Sequence, residues 1–525
     1  MLLLAILMCA VLWESGIVGR ISRDIYARIP FAFAGIPTCP DCNVILVSLD
    51  VLRADDLPCY GYSRNTAPNL CAFAERNTYF TRFYSVSSYT LDDHISMVTG
   101  LYPSTHHVLV PFRDSLNPSI PTLAESLQAH GYRTLYLGVT DDPNLPLDKG
   151  VGRGFTEIHR LDRSDSSLQT QLRTILPTLQ DHKPTFLFVH SYLLHAPFLV
   201  GPGPRRYAEG AFPEIPLTPK EYKVNSIPFY ASVLNELQLR VDANDAPKSV
   251  RRNTSIISDL SSAVVSGDLT RAQAIFLGSL YWLEQTNAYD IWYWKHIDPY
   301  NDTMIAYLRG LYDERINTAD DALKPLLDFV DQPEMKRKTV VIITSDHGEE
   351  FQEHGEFGHD YNLYNTSTYI PFIIAAPKIQ RSINNSLAQV TDIFPTVLDL
   401  VGIPKPRVEG KSLLPLLVGS AGATGDQYAV SEYRGTVIQS IQDGRWKLYV
   451  HHENPKAPWV ELYDLVSDPG EYHNVSGGFQ AVQERLTKAL DVIQEKAPRY
   501  APVIGGFPDW IDKKKQKNII EHGYF

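Results

Sequence analysis

Residues 339–350 have the sequence TVVIITSDHGEE, in which an apolar run ends in an acid and an imidazole. The first seven residues are rich in β-branched side chains and predict a buried strand. That strand would present Asp346 and His347 at its carboxyl end, and His354 and His359 follow within fifteen residues of Asp346. Carboxylates and imidazoles fixed at a strand end are typical ligands of a divalent cation. The segment therefore predicts a metalloenzyme.

A second strand end of the same kind lies near the start of the chain. Residues 43–49, NVILVSL, predict a buried strand that presents Asp50 at its carboxyl end. The carboxyl ends of parallel strands are where open α/β sheets bind ligands. Asp50 is therefore predicted to belong to a site of this kind.

A helix with a hydroxyl group at its start is predicted over residues 89–100, YTLDDHISMVTG. Thr90 is the predicted N-cap residue. A helix N-terminus offers free N–H groups and the positive end of its dipole to an anion, so the Thr90 hydroxyl is a candidate nucleophile toward a bound oxyanion ester. Asp92 and Asp93 are either first-turn acids favoured by the dipole, or groups that repel an anionic substrate or bind a cation.

The alternation of strands and helices predicts the fold class. Residues 121–131 have helical spacing with a terminal glycine, and residues 132–139 follow as a strand. This order predicts an α/β fold with a large, mostly parallel sheet flanked by helices. Residues 200–300 break the pattern and predict an insertion, whose aromatic residues either stack on a sugar or lipid headgroup or fill a core. Those residues are Tyr281, Trp282, Trp292, Tyr293 and Trp294.

Composition argues against nucleic-acid binding and leaves contact with a membrane surface open. The 525 residues exceed what one compact core usually holds, so two domains are expected. The formal net charge of −12 argues against a nucleic-acid partner. Lys513, Lys514, Lys515 and Lys517, close to Trp510, either contact a membrane surface or form a solvated terminus.

The N-terminal residues predict export. Leu2 to Trp13 is an apolar run of twelve residues, too short to span a bilayer and similar to the core of a signal peptide. No Lys or Arg precedes this run, so a short membrane anchor is the alternative. The protein is predicted to be secreted, periplasmic or anchored outside the cytoplasm. Cys9 lies in the run, and the other cysteines, at 39, 42, 59 and 71, predict two disulfides whose pairing stays open.

Five segments in order resemble the sulfatases and their relatives in the alkaline phosphatase superfamily. They are residues 43–62, 345–355, 391–417, 444–448 and 461–471. The resemblance implies a sulfatase-like catalytic domain over residues 43–420, with the insertion at about 200–300, and a small C-terminal α+β domain over 421–500. A signal or anchor segment with a linker would occupy 1–42, and a tail 501–525.

The departures from the family pattern change the expected chemistry. Formylglycine sulfatases carry a Cys or Ser within C/S-x-P-S-R, and Thr90 stands at that position, where it cannot mature to the aldehyde. Asp92 and Asp93 replace the Pro-Ser pair, and His94 stands in place of the arginine. A threonine here resembles the phosphate-handling branches, including phosphodiesterases and phosphoethanolamine transferases, which use the hydroxyl as nucleophile. His94 is accordingly predicted to bind substrate.

The expected metal ligands differ in the same direction. Formylglycine sulfatases pair adjacent aspartates with Asp-Asn around calcium, whereas Asp50 is followed by Val51 and Asp346 by His347. Two carboxylates, the imidazole of His347 and the oxygen of Thr90 form a ligand set that favours zinc or manganese, with calcium as the alternative.

Four further histidines are assigned by the same resemblance. His195 precedes Ala196-Pro197 as in the family's substrate-contacting His-x-Pro, and His359 lies thirteen residues after Asp346, where the phosphate branches place a histidine. Either residue is predicted to protonate the leaving oxygen, or the two bind the ester oxygens or a second cation. His190 and His354 are predicted to bind substrate, with a structural role as the alternative.

These assignments predict a metal-dependent hydrolase of sulfate- or phosphate-type esters. A cation held by Asp50, Asp346 and His347 would activate Thr90, which would form a covalent ester that water cleaves. A phosphoester, phosphodiester or phosphonate ester of a sugar, lipid headgroup or small molecule is favoured over a sulfate ester. The alternatives are a phosphoethanolamine-type transferase, a sulfatase that lacks the aldehyde, and a non-catalytic binding protein that keeps the fold.

Overall fold

The computed structural model describes residues 38–111, 113–140, 145–161, 165–180, 183–200, 204–212, 215, 231, 234, 238, 255–266, 293–294, 297–359, 361–420, 427–452, 454 and 458–505. The predicted signal segment and the Lys513–Lys517 tail lie outside these ranges, as do Tyr281, Trp282 and Trp292 of the insertion. Within the described ranges, no helix is both long enough and apolar enough to cross a bilayer.

An eight-stranded sheet forms the centre of the large domain. Its strands, in chain order, are β1 Asn43–Leu49, β2 Thr78–Phe80, β5 Arg133–Gly138, β6 Glu157–Arg160, β7 Thr185–Ser191, β8 Thr339–Thr344, β11 Phe372–Ala375 and β12 Ser382–Asn384. Their spatial order is β12-β2-β11-β8-β1-β7-β5-β6. Every neighbouring pair is parallel except the two that involve β11. The predicted α/β fold with a mostly parallel sheet is confirmed.

The described helices flank this sheet or connect its strands. The longer ones are α1 Pro68–Arg76, α2 Thr90–Thr99, α4 Leu123–Ala129, α5 Asp165–Ile175, α6 Ser255–Ser266, α7 Asp302–Val330, α10 Ile393–Leu400 and α12 Gln480–Lys496. The short ones are α3 Pro103–His106, α8 Pro333–Lys336, α9 Asn365–Thr368 and α11 Leu414–Leu417. Turns of 3₁₀ helix cover Ala54–Asp56, Pro58–Tyr60, Leu147–Lys149, Leu176–Gln180 and Val390–Asp392.

Two central strands show why the sheet forms. All seven residues of β1 and all six of β8 are buried, because helices cover both faces of the sheet and leave no solvent side for polar residues. The helix predicted over residues 121–131 is α4. It begins with a capping box, in which the side chains of Thr122 and Glu125 each accept from the other residue's backbone N–H group. The strand predicted over 132–139 is β5.

A second, smaller sheet lies toward the C-terminus. Its strands are β14 Ala429–Tyr433, β15 Ile438–Gln442, β16 Trp446–His451 and β17 Trp459–Asp464, all antiparallel. Helix α12 packs on this sheet through Leu486 and Leu490. The expected small α+β region is therefore present. Three two-stranded pairs complete the set: β3 Phe83–Tyr84 with β13 Ala388–Gln389, β9 Glu350–Phe351 with β10 Phe357–Gly358, and β4 Asp114–Ser115 with β18 Val503–Ile504.

Disulfides join the four cysteines that the described residues contain. Cys39 pairs with Cys42, and Cys59 pairs with Cys71. The predicted number of two is confirmed, and both are local, with sequence separations of 3 and 12 residues. The second disulfide links the 3₁₀ turn Pro58–Tyr60 to α1, so it holds the segment that follows Asp50.

Candidate active site and metal-binding group

The candidate site lies at the carboxyl edge of three adjacent parallel strands. Ser48 of β1 is paired with Thr344 of β8 on one side and with His190 of β7 on the other. Asp50 follows β1 directly, and Asp346 lies two residues beyond β8. Because parallel strands end at a common edge, residues almost 300 positions apart in the sequence come together.

Helix α2 begins at this edge, one residue earlier than an N-cap at Thr90 would give. The N-cap residue is Tyr89, and no side chain caps the helix there, so the prediction that Thr90 is the N-cap is wrong. Thr90 is instead the first helical residue, and its Oγ1 lies 3.1 Å from Nε2 of His347. One turn later, Nδ1 of His94 donates to the Thr90 carbonyl oxygen over 2.7 Å. The Thr90 hydroxyl therefore faces the candidate metal ligands rather than the backbone of its own helix.

Asp50, Asp346 and His347 form a fully buried group. One ligand atom from each lies within 4.8 Å of the other two. Nδ1 of His347 donates to the Gly348 carbonyl oxygen over 3.0 Å, which leaves the Nε2 lone pair facing the group. Oδ1 of Asp346 accepts from the His347 N–H over 2.9 Å, whereas its buried Oδ2 accepts no hydrogen bond from a described residue. A buried carboxylate oxygen of this kind fits a divalent cation.

The protonation of Asp346 and His347 fits a group that binds a cation. Burial lowers the pKa of His347 to about 4, so the imidazole is neutral at pH 7. Burial also raises the pKa of Asp346, and nearby His94 only partly opposes that shift. Metal ligands have the same protonation pattern, a neutral imidazole beside carboxylates whose charge is unfavourable without a cation.

A second group shares Asp346. His94, His190 and Asp346 also offer ligand atoms within 4.8 Å of one another, and all three are buried. The rings of His94 and His190 lie 4.3 Å apart, and Nε2 of His190 lies 3.5 Å from Oδ2 of Asp50. Both histidines were expected to bind substrate, and the fold places them against the metal-binding carboxylates. Sequence spacing gave no sign of this grouping, because the two residues come from a helix and a strand.

His195 and His359 form a pair beside these groups. Their Nε2 atoms lie 3.2 Å apart, while Nδ1 of His195 contacts the Ala196 carbonyl oxygen at 2.9 Å and Nδ1 of His359 contacts the Ser88 carbonyl oxygen at 3.3 Å. Carbonyl oxygens only accept, so each Nδ1 carries a proton and each Nε2 presents a lone pair to the other. A proton shared by the two Nε2 atoms, or a cation bound by both, would stabilise this contact. The His359 ring also lies 4.2 Å from that of His347.

His354 is not brought to this cluster. Its Nδ1 bonds the Glu350 carboxylate, its Nε2 contacts the Gly470 carbonyl oxygen at 3.0 Å, and its ring stacks on Tyr364. Nδ1 thus bonds within the β9–β10 hairpin, and Nε2 links this hairpin to the C-terminal region. The predicted substrate role gains no support from this geometry, which matches the structural alternative.

Asp92 and Asp93 act on the loop that precedes α2. Oδ1 of Asp93 accepts from the Val86 N–H over 3.0 Å and from the Ser85 hydroxyl over 3.1 Å. Oδ1 of Asp92 accepts from the Ser87 hydroxyl over 2.9 Å. These bonds hold residues 85–87 against the helix start, so the two acids position the Thr90 segment.

An ionic network behind the site was missed from the sequence. Arg53 is 3% exposed, pairs with Asp55, Asp56 and Glu353, and donates to the Glu349 carbonyl oxygen over 3.0 Å. It thus ties the loop after Asp50 to the segment after His347. An arginine three residues after a strand-end aspartate was the available signal, but two of its partners, Glu349 and Glu353, are 296 and 300 residues away.

Tyr293 and Trp294, two aromatic residues of the insertion, pack inside the protein. Tyr293 is buried, and Trp294 stacks on Phe357 with the ring planes 7° apart and 5.3 Å between centroids. Phe198 contacts both rings. For these two residues the core-filling alternative holds, and Trp294 lies beside the strand that leads to His359.

Comparison with known proteins agrees with this fold and site. The sulfatase family model matches residues 42–403, and the model described as N-sulphoglucosamine sulphohydrolase, C-terminal, matches residues 352–496. The chain therefore belongs to the sulfatase family, whose members are metal-dependent ester hydrolases. The predicted family is confirmed.

Several relatives share the name Arylsulfatase K. The protein from Bos taurus is 30% identical over 262 residues, which cover 42% of this chain and 48% of the relative. The one from Mus musculus is 28% identical over 307 residues, covering 47% and 55%. The chain thus matches about half the length of these relatives.

Solved structures share the fold across most of the chain. The phosphonate monoester hydrolase of Agrobacterium radiobacter superposes with a TM-score of 0.60 at 19% identity, covering 87% of this chain and 96% of that one. A 2-O GAG sulfatase superposes with a TM-score of 0.61 at 18% identity, covering 89% and 97%. At such identity the likeness concerns the fold alone.

Proposed function

We propose that the protein is a metal-dependent hydrolase of phosphoesters, phosphodiesters or phosphonate esters, with Thr90 as its covalent nucleophile. The observation that carries the proposal is the 3.1 Å contact between Thr90 Oγ1 and His347 Nε2. It puts a hydroxyl group directly against the buried carboxylate and imidazole group, at the position where formylglycine sulfatases carry their modified residue. Because threonine cannot form the aldehyde, the hydroxyl oxygen is the group available for attack.

The reaction follows from the residues around that oxygen. Thr90 Oγ1 bonds to phosphorus as the bond from phosphorus to the leaving oxygen breaks, and water then cleaves the Thr90 ester. The Nε2 atoms of His195 and His359 lie where they can take up the proton that Thr90 Oγ1 loses and pass it to the leaving oxygen. A divalent cation held by Asp50, Asp346 and His347 would lower the pKa of the hydroxyl and offset charge on the ester oxygens. The imidazole and hydroxyl ligands favour zinc or manganese over calcium.

The substrate is proposed to be an anionic ester of a sugar. One neighbour with this fold was solved with its substrate D-glucosamine-2-N,6-O-disulfate. The phosphorus preference rests on Thr90 and on the shared fold of the phosphonate monoester hydrolases. A sulfate ester, cleaved without the aldehyde, is the second candidate, and the relatives named Arylsulfatase K favour it.

An exported location is part of the proposal. Two disulfides within the first seventy-one residues are typical of an oxidising compartment. The apolar run at the N-terminus is the kind of segment that directs a chain there. Fractionation of cells that express the full chain tests this expectation and should find the protein outside the cytoplasm. N-terminal sequencing of that protein then shows whether the apolar run has been cleaved.

Two substitutions at Thr90 test the mechanism. Thr90→Ser keeps the oxygen and should retain measurable turnover, whereas Thr90→Ala should abolish it. Acid quench during turnover of a phosphoester, followed by mass spectrometry, should find the added mass on the peptide that contains Thr90. Thr99→Ala is the matched control, because Thr99 is also buried and lies at the other end of α2, where its hydroxyl bonds the Ile95 carbonyl oxygen. Undiminished turnover by Thr90→Ala would falsify the covalent mechanism.

Parallel assays decide the substrate class. Nitrophenyl sulfate, phosphate, phosphodiester and phosphonate are offered to the metal-loaded enzyme under identical conditions. The highest kcat/KM is expected for one of the phosphorus esters. Turnover confined to the sulfate, with Thr90 still essential, would replace the phosphorus proposal by the second candidate.

A further inference from the structure

A second cavity lies away from the candidate active site, between α12 and residues 408–411. Its volume is about 600 Å³, and Tyr102, just beyond the carboxyl end of α2, lines it. The Gly100 carbonyl oxygen accepts from the N–H groups of Glu409 and Gly410 over 3.0 Å each, which fixes this wall to the end of α2. Helix α2 has ten residues and is therefore about 15 Å long, so its two ends separate the cavity from Thr90.

Cationic side chains reach the cavity from both walls. Helix α12 contributes Arg485, Lys488 and Lys496, and Lys411 comes from the opposite side. Among the described lining residues the only carboxylate is that of Glu409, which accepts from the Tyr102 N–H over 2.8 Å. An excess of positive charge at one cavity is unexpected in a chain whose net charge is −12.

The charges of α12 are sorted by face. Arg485, Lys488 and Lys496 follow one another at intervals of three and eight residues, which places them on one stripe of the helix. The acids of the same helix, Glu484, Asp491 and Glu495, occupy a neighbouring stripe and are absent from the described lining of the cavity. Glu484 lies four residues before Lys488 and Asp491 lies three residues after it, so the two stripes adjoin, and only the basic stripe lines the cavity.

Apart from Gln389 and Gln427, aliphatic and aromatic groups form the rest of the cavity wall. They are Val408, Ala489, Val492, Ile493, Ala497, Tyr102 and Tyr428. Arg485 also donates to Oδ2 of Asp443 over 2.6 Å, which holds its guanidinium group at the rim. The cavity thus combines an apolar floor with separate cations around it, and its volume lies within the usual range of about 300–1,000 Å³ for ligand sites.

We propose that this cavity binds a saccharide unit that carries several sulfate esters. The apolar residues and the two tyrosine rings would contact the sugar rings, while Lys488 and Lys496, with Lys411 on the opposite wall, would attract the ester groups. Separate cations on two walls match several single negative charges better than one concentrated dianion, because each sulfate ester carries one charge. Such binding is independent of catalysis and would hold the enzyme on a sulfated glycan.

Calorimetry on the full-length protein tests the proposal. The probes are a chemically defined sulfated tetrasaccharide, the same tetrasaccharide without esters, and its phosphorylated counterpart. Lys488→Glu/Lys496→Glu should weaken binding of the sulfated probe at least about tenfold, the effect expected when charged partners are lost. Hydrolysis of a small nitrophenyl ester should stay within about twofold of the unsubstituted protein, since the cavity is remote from Thr90. Lys488→Gln/Lys496→Gln should give a smaller weakening of the same kind.

A charge-matched control distinguishes binding in the cavity from general electrostatic attraction to the protein. Lys183→Glu/Lys336→Glu makes the same change in net charge at two exposed positions that do not line the cavity, and it should leave binding unchanged. Equal weakening by the two pairs of substitutions would reduce the effect to overall charge and overturn the proposal. So would undiminished binding by the cavity variants, or equal affinity for the unesterified sugar. Tighter binding of the phosphorylated probe would reject the preference for sulfate esters.

Discussion

Replacing Lys447 by methionine should destabilise the protein strongly, although the residue lies outside the candidate active site. Lys447 is fully buried on β16, and its Nζ lies 3.1 Å from Oε1 of Glu471, which is 2% exposed. Nζ also donates to the Leu363 carbonyl oxygen over 2.7 Å and to Oδ1 of Asn365 over 3.0 Å. Methionine has a similar length but no charge and no donor. The substitution therefore leaves a carboxylate and two acceptors in a buried place without their cation.

The expected cost follows from that burial. Removing one partner of a buried ion pair typically costs about 3–5 kcal/mol, because the other charge stays desolvated. Among the described residues, Glu471 then keeps its bonds with the Tyr449 hydroxyl, at 2.7 Å, and the Asn365 N–H, at 2.6 Å. A native chain is stable by about 5–15 kcal/mol, so the loss is a large fraction of the total. Urea unfolding followed by tryptophan fluorescence measures it.

Two further variants give the measurement its controls. Lys447→Met/Glu471→Gln removes both charges and should recover part of the lost free energy of unfolding. Arg445→Met, two residues before Lys447, breaks the ion pair between Arg445 and Asp464. Because the arginine side chain is 61% exposed, this substitution should have a much smaller effect. If Lys447→Met unfolded at the same urea concentration as the unsubstituted protein, the buried pair would not support the fold and the reasoning would fail.

Loss of Lys447 should also lower turnover, because its contacts lead to the candidate metal ligands. Lys447 holds Asn365, at the start of α9. Within α9, the Ser367 carbonyl oxygen accepts from the Gly348 N–H over 2.8 Å, and Gly348 in turn fixes the His347 ring. A Cβ at position 348 would lie 2.0 Å from the Thr366 carbonyl oxygen, so only glycine permits this close approach. The C-terminal sheet thus supports the orientation of His347.

Three other outcomes can be measured. His347→Ala, or treatment with a chelator, should lower bound metal and turnover together, and full metal content in the variant by elemental analysis would contradict the ligand assignment. Burial raises the pKa of Glu409 and of Glu432 to about 7 in each case, so the stability that these residues contribute is present below pH 4.5 and is lost as the pH rises through 7. Glu432→Gln should therefore flatten the fall in melting temperature between pH 5 and 8. An unchanged slope would show that Glu432 does not cause this pH dependence. Arg53→Met should lower the melting temperature and turnover, because it frees the loop after Asp50 from the Glu349 segment, and a variant with normal turnover would show that this tie does not orient the ligands.

Local patterns in the sequence were sufficient for the fold class and for the strand ends. Runs such as residues 43–49 and 339–344 are apolar because both faces of the central sheet are covered, so their period and length identify buried strands without knowledge of their neighbours. Asp50 and Asp346 follow from the same runs, because a residue just beyond a buried strand lies at the sheet edge. Family resemblance then placed Thr90, His195 and His359 in the same site, and the described geometry brings them together.

The sequence by itself thus determined the α/β class, the strand-end acids and the two disulfides, all of which depend on residues close together in the chain or on local burial. Only the tertiary structure decided which histidines share Asp346, that His354 turns toward the C-terminal region, and that Arg53 and Lys447 tie distant segments to the site. Each of these contacts joins residues from different elements. Their pairing is set by how sheets and helices pack over one another, which leaves no periodic trace in the sequence around either partner.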